Sequence, residues 1–437
     1  MIAVCLSPLY LLLCAYVFYR LQTWLERCLP YLARKRIRIP IGIFYLCVAF
    51  SILAAFLLEP SPAKRLLKQF SNTWLGVLLY ALLAIVTADL IRLALKRFFL
   101  REESRQKLSG NFCQRLPAKP RWIELLFSRG GHMATGAVCI LCVCGCSLAG
   151  IVSADRIRVT EYELYVDKEA PGIEELKIVL VADLHLGYSI GIRHMEQMVS
   201  LINEEDADLV VMAGDIFDNE YEALEDPQTL ARILKGIESR YGVYACYGNH
   251  DIKEKVLAGF TFASAGEKAS DPRMDAFLEE AGIRLLREEG VLIEDAFYLY
   301  GRPDYGRPGR GIRVRKTPEQ VVAGMDSSKP IIVLDHQPRE LAELAEAGVD
   351  MDLCGHTHDG QTFPGNLTAR LFWENICGYL QKGNMHNIVT SGVGVFGPDM
   401  RLGTRSEICA ITVRFRQGPG GGTGGPAAWA LRPGRGL

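Results

Sequence analysis

The chain has 437 residues, 49% of them hydrophobic, with 49 Lys+Arg against 50 Asp+Glu. That length leaves room for two or three domains, and the near-zero charge hides a split, because residues 1–152 carry 19 basic against 6 acidic side chains while residues 153–416 carry 28 against 44. An acidic second region is unsuited to gripping phosphate backbones, so nucleic acid is not the expected partner.

Four apolar segments come first, at 3–19, 39–58, 74–95 and 133–154. Each approaches the roughly 20 residues that an α-helix needs to cross a bilayer, so residues 1–154 are expected to form a four-helix transmembrane region. The first segment lacks the basic leader of a signal peptide. Asp89 and Arg92 stand one turn apart near the end of the third segment and are expected to pair or snorkel at the interface. Basic residues number six in the linker 20–38, three in 59–73 and nine in 96–132. The positive-inside rule then puts the first and third linkers in the cytoplasm. The expected product is a multi-pass cell-membrane protein whose second domain, 155–416, is extracytoplasmic. Cysteines in the apolar segments, Cys139, Cys142, Cys144 and Cys146 among them, read as small apolar residues. Those beyond, Cys246, Cys354, Cys377 and Cys409, do not suggest a disulfide framework.

From about residue 161 the pattern changes to apolar strands alternating with amphipathic helices. LKIVLVAD (176–183), DLVVMAGD (208–215), YGVYACYGNHD (241–251), KPIIVLDHQP (329–338), MDLCGHTH (351–358) and HNIVTSGVG (386–394) read as strands. Helices are expected over 192–205, 228–240 and 338–348. VLIED and AFYLYG (291–301) read as a hairpin and ICAITVRF (408–415) as a last strand. Such alternation implies an α/β class, central β-sheets flanked by helices. The segment 256–277 is expected to be a lid or a connecting helix, and the Gly/Pro-rich residues 417–437 a disordered tail.

Polar residues stand where these strands end, the edge at which open α/β folds place their sites. They are Asp183 and His185, Asp215 and Asp218, Asn249 with His250 and Asp251, His336, then His356 and His358. Five of the eight histidines fall in this set. Singly, Asp183 or Asp215 would read as a helix cap and His336 as a turn residue. Together they make a donor set of carboxylate, imidazole and carboxamide that suits Mn, Fe, Zn or Co. About seven ligands are too many for one ion, and two ions would use them all.

The succession D-x-H, G-D-x-x-D, G-N-H-D, a lone His336 and G-H-T-H resembles the calcineurin-like metallophosphoesterases. The phrases DLHLG, GHTHDGQ and SGVG with RLG look like the membrane-attached bacterial branch of that family, in which a glycine is commoner than Asp359. The resemblance implies one metal held by Asp183, His185, Asp215 and His358, and a second held by Asp215, Asn249, His336 and His356. His250 would protonate the leaving group or stabilise charge on phosphoryl oxygens. Asp251 would orient His250, and Asp218 would brace a ligand histidine. Arg401 reads as a surface arginine, with contact to substrate phosphate as the alternative. The expected activity is hydrolysis of a phosphate mono- or diester by in-line attack of a hydroxide held by the ions. Membrane anchoring points to phospholipid or lipid-linked substrates. The alternative reading is a non-catalytic membrane sensor or binding protein on the same fold.

Overall fold

The computed structural model describes residues 2–108, 121–253, 256–257, 260–261, 271–309, 312 and 314–417. The expected tail from 418 onward lies outside the described residues, as do 258–259 and 262–270 of the expected lid. The chain divides into two compact units, Met1–Leu58 with Leu66–Ala149, and Glu59–Arg65 with Gly150–Leu437.

The first unit is built from α1 (Ile2–Cys28), α2 (Lys35–Leu57), most of α3 (Pro62–Leu108), α4 (Arg121–Phe127) and most of α5 (Arg129–Asp155). Among the described residues three helices, not the expected four, are long and apolar enough to cross a membrane: Lys35–Leu57, Pro62–Phe98 and Arg129–Asp155. The segment 3–19 lies in α1, a continuous helix whose second half carries Arg20, Glu26 and Arg27. Cys14 and Val17 of α1 pack against Tyr45 and Ala49 of α2 and Leu78 of α3. The expected Asp89–Arg92 couple does not form. Asp89 takes Arg20 of α1 at 2.5 Å, while Arg92 turns to Thr135 and His132 of α5. A long arginine reaches across a helix interface as readily as along its own helix.

Among the described residues the second unit holds fourteen strands in chain order: β1 (Ile157–Val166), β2 (Glu175–Val181), β3 (Leu209–Ala213), β4 (Val243–Cys246), β5 (Val256–Leu257), β6 (Phe260–Thr261), β7 (Ile283–Leu285), β8 (Glu289–Ile293), β9 (Phe297–Gly301), β10 (Ile331–Leu334), β11 (Met351–Cys354), β12 (Gly378–Lys382), β13 (Met385–Val389) and β14 (Ser406–Phe415). Two six-stranded mixed sheets form, in the orders β1-β14-β2-β3-β4-β7 and β12-β13-β11-β10-β9-β8. The expected hairpin is present, with β9 inside the second sheet and β8 at its edge. The expected last strand is longer than its apolar core and lies between β1 and β2, parallel to one and antiparallel to the other.

The sheets face each other across one core. Leu176, Ile178 and Leu180 of β2 and Leu209 and Val211 of β3 meet Leu299 of β9, Ile332 and Leu334 of β10 and Leu353 of β11. The outer face of the first sheet, with Val179, Val210 and Met212, is covered by α6 (Ile192–Glu204), α7 (Pro227–Leu234) and α8 (Pro272–Glu280). The outer face of the second carries Ile331 and Val333 beneath α9 (Pro318–Val322) and α10 (Leu341–Glu346). Burial on both faces explains why these strands read as continuous apolar runs instead of alternating. It also brings the carboxyl ends of β2, β3 and β4 to those of β10 and β11.

Candidate active site

Each strand end turns sharply, and the turn is what aims its side chain. Asp183, His185, Asp215, His356 and His358 all have positive φ, between 47° and 73°. Non-glycine residues rarely adopt this left-handed region, and a concentration of them points to a functional site. Gly214, at φ 79°, has no room for a side chain: a Cβ there would come within 2.6 Å of His336 Nδ1. A Cβ on Gly355 would collide with Ala182 and press on the Asp183 carboxylate.

Three groups of side chains result, each with ligand atoms close enough to share an ion: Asp183 with His185 and His358, Asp215 with His336 and His356, and His185 with Asp218 and His250. In the first, His185 Nε2 faces His358 Nε2 at 3.1 Å, and His358 Nε2 lies 3.7 Å from Asp183 Oδ1. In the second, His336 Nε2 is 3.1 Å from His356 Nδ1, 3.1 Å from Asp215 Oδ2 and 3.2 Å from Asn249 Oδ1. Asp215 Oδ2 is also 3.9 Å from His185 Nε2, so one carboxylate joins the two groups. Its other oxygen accepts from His250 N at 2.7 Å.

The protonation pattern fits a cation. Burial pushes His185 down to about 3 and holds His356 and His358 well below the usual imidazole value, leaving their lone pairs available. Burial pushes the Asp183 carboxyl up to about 7. For Asp215 burial acts the same way but is outweighed by nearby imidazoles, His336 first, which hold it well below the carboxylate range. His336 is correspondingly raised by Asp215 against its own burial. Ring nitrogens that face one another and buried acids without enough cations are the arrangement a divalent ion resolves, displacing protons as it binds. His336 is aimed by its Nδ1, which donates to Ala213 O at 2.8 Å. Behind it Asp335 is gripped by Arg302 at 3.1 Å and Arg315 at 3.0 Å, a buried support that strand-end motifs do not reveal.

Two side chains depart from their expected roles. Asp251 does not touch the His250 ring, since its carboxylate accepts from Phe217 N at 2.9 Å and Gly248 N at 2.7 Å and so ties two turns together. Asn219 orients the ring instead, its Oδ1 2.5 Å from His250 Nδ1 while its amide donates to Ile252 O at 2.9 Å. Its position directly after the G-D-x-x-D run was the available signal. Arg401 is fully buried, contrary to the surface reading, and donates to Ser391 O and Gly394 O at 2.7 Å each behind His358. Asp218 lies 3.9 Å from the Nδ1 atoms of both His185 and His250. Asp359 takes φ 50°, a left-handed conformation that glycine adopts more readily. Phe396 stacks on His185 with ring centroids 5.4 Å apart and packs at a tilt of 58° against His250 at 4.5 Å.

The first turn of α3 reaches this rim within the second unit. Arg65 donates to Gly187 O at 2.9 Å, Tyr188 O at 3.1 Å and Ala223 O at 2.6 Å, and Lys64 pairs with Glu220 at 3.2 Å. These loops directly follow His185 and Asn219.

The calcineurin-like phosphoesterase family model matches residues 176–360. A Danio rerio protein called transmembrane protein with metallophosphoesterase domain is 32% identical over 277 residues, 61% of this chain and 59% of that one. Its Bos taurus namesake is 30% identical over 277 residues, covering 61% and 60%. An uncharacterized metallophosphoesterase of Aquifex aeolicus is 30% identical over 260 residues, 59% of this chain and 92% of its own. The chain thus spans about three-fifths of the length of the two vertebrate relatives and nearly all of the bacterial one. With the site's donor set and this similarity together, the chain belongs to the calcineurin-like phosphoesterase family.

Proposed function

We propose that this chain is a membrane-anchored phosphoesterase that uses two divalent ions, and the observation that carries the reading is the Asp215 carboxylate joining the two histidine groups. Asp183, His185, Asp215 and His358 hold one ion, and Asp215, Asn249, His336 and His356 the other, drawn from Mn, Fe, Zn or Co. Bound there, the ions supply Lewis acidity toward phosphoryl oxygens and acidify an attacking water. Asn219 Oδ1 accepts from His250 Nδ1–H, so Nε2 is the nitrogen left to face the departing oxygen, and it donates there from the ring form that carries a proton on each nitrogen. Asp251 and Asp218 act as positioning residues, the first on the turn that presents Asn249 and His250, the second between His185 and His250. The substrates are phosphate mono- or diesters, with phospholipid or lipid-linked esters favoured by the anchoring.

The topology we infer from the basic linkers crosses the membrane with α2, α3 and α5 and puts the phosphoesterase unit outside. Residues 59–65 belong to that same unit, which supports placing them on its side of a membrane crossed by α3 and again by α5. A cysteine placed near Gln417 in a background without native thiols tests this, and labelling by an impermeant reagent only after lysis overturns it.

The catalytic reading is tested with full-length protein in detergent, Mn²⁺ and bis(4-nitrophenyl) phosphate. Asp215→Asn is expected to lose roughly 10³-fold in rate along with bound metal, and His250→Ala roughly 10²-fold with metal retained. Equal rates in wild type and both variants favour the non-catalytic sensor.

A further inference from the structure

The first unit holds a group of charged side chains that the phosphoesterase site does not use. Arg20 and Arg27 of α1, Asp89 and Arg92 of α3, and His132 and Thr135 of α5 line a cavity of about 610 Å³. Their charges do not cancel. Asp89 accepts from Arg20 at 2.5 Å and from Tyr16 at 2.9 Å, which settles one arginine. Arg27 and Arg92 converge instead on one acceptor, His132 Nε2, at 2.5 and 3.2 Å. An imidazole nitrogen has a single lone pair, and a ring that accepts there is neutral, so it answers neither charge.

The other partners of Arg92 are uncharged as well: Thr135 Oγ1 at 3.0 Å and the carbonyls of Leu126 and Gly131 at 3.5 Å. Arg92 Nε and His132 Nδ1 are buried without a hydrogen-bond partner. Glu26, next to Arg27 in sequence, is joined to Arg38 at 3.4 Å. Among the described residues no carboxylate pairs with Arg27 or Arg92. Two guanidiniums drawn to one neutral ring are stable together when an anion lies between them, and their planar N–H forks suit phosphate oxygens.

The rest of the lining is mostly apolar, with Ile85, Ile140 and Val143 facing the same space. Gly136 brings α5 close to α1, because a Cβ there would collide with the indole of Trp24, whose Nε1 donates to His132 O at 3.0 Å. The result is a cationic mouth above a hydrocarbon wall. We propose that this cavity binds the phosphate head of an anionic membrane lipid, with an acyl chain against Ile85, Ile140 and Val143. Free phosphate would gain from the arginines alone, whereas a lipid also covers the apolar wall.

Native mass spectrometry of the full-length protein in detergent tests this, with phosphatidylglycerol, phosphatidylcholine and inorganic phosphate as probes. Wild type is expected to retain phosphatidylglycerol over phosphatidylcholine. Arg27→Gln with Arg92→Gln should weaken that retention by roughly 10- to 30-fold, as expected for two interfacial cations. The double lysine variant should keep most of it, and aryl phosphodiester hydrolysis should be unchanged in both. Val143→Trp, which fills the cavity and leaves every charge in place, should also reduce retention. The proposal is overturned if phosphatidylglycerol is held equally by wild type and Val143→Trp, if the double glutamine variant holds it as wild type does, or if inorganic phosphate displaces it.

Discussion

Two groups of ionisable side chains stand in this chain, one at the strand ends of the second unit and one among the helices of the first. The strand-end group offers lone pairs from carboxylates and neutral imidazoles and suits a cation. The helical group offers N–H donors from arginines around one imidazole and suits an anion. They also differ in how they are held. Turns with positive φ place Asp183, His185, Asp215, His356 and His358 two to four residues past the end of a strand, beside crowded glycines. The second group depends on three helices packing side by side, with members from Arg20 to His132. Chemistry at the strand ends is therefore set by local backbone geometry, whereas charge matching among the helices is set by packing alone.

The sharpest way to break this contrast is to disturb the turns. Gly214→Ala should force His336 and the Gly248 turn apart and lower activity on the order of 10²-fold or more, with loss of bound metal by elemental analysis. Activity within twofold of wild type would mean that the turns are more pliable than their φ values imply. Next in size, Asn219→Leu should reduce kcat by about 10- to 100-fold while leaving metal content intact, because it frees the His250 ring without touching a candidate ligand. A kcat close to wild type, or a fall in metal content equal to that of Gly214→Ala, would remove Asn219 from its positioning role.

Smaller effects test burial away from the rim. Asp352 on β11 is buried, and desolvation, then Asp335, push it up to about 7 from an ordinary 3.8. The folded state therefore binds this proton more tightly than the unfolded chain, and its stability falls as pH rises from about 4 to about 7. Asp352→Asn cannot ionise, so it should raise Tm by a few degrees, roughly 3 °C, at pH 8 and by progressively less toward pH 4. A gain independent of pH would reject the cause. Smallest of all, Asp359→Gly should relieve the left-handed strain and stabilise by about 0.5–1 kcal/mol, offset in part by glycine's freedom in the unfolded chain. Denaturant unfolding beside Asp359→Ala measures it, and equal stability in the two variants would deny the strain.

Much of the candidate site was legible because strand and turn chemistry are local. Apolar runs ending in Asp183, Asp215, His336 or His356 announce both a doubly covered strand and the residue at its carboxyl end. Roles within the site were less legible. Asp251, next to His250 in sequence, read as its partner, and only the path of the 248–252 turn directs the Asp251 carboxylate to Phe217 N and Gly248 N. Arg401 read as a surface arginine or a phosphate contact, yet the loop after β13 closes around it and its charge is met by backbone carbonyls.

The amino-acid sequence by itself determined the apolar helices, the succession of buried strands and the polar residues at their ends, since each follows from periodicity and turn geometry over a few residues. Tertiary structure alone decided that β14 enters between β1 and β2, that Asn219 rather than Asp251 holds His250, and that Arg27 and Arg92 meet at His132. The physical reason is range. Backbone preference acts between neighbours along the chain, but the partner of a buried group is whichever distant segment packing brings within hydrogen-bond reach, and no local pattern records it.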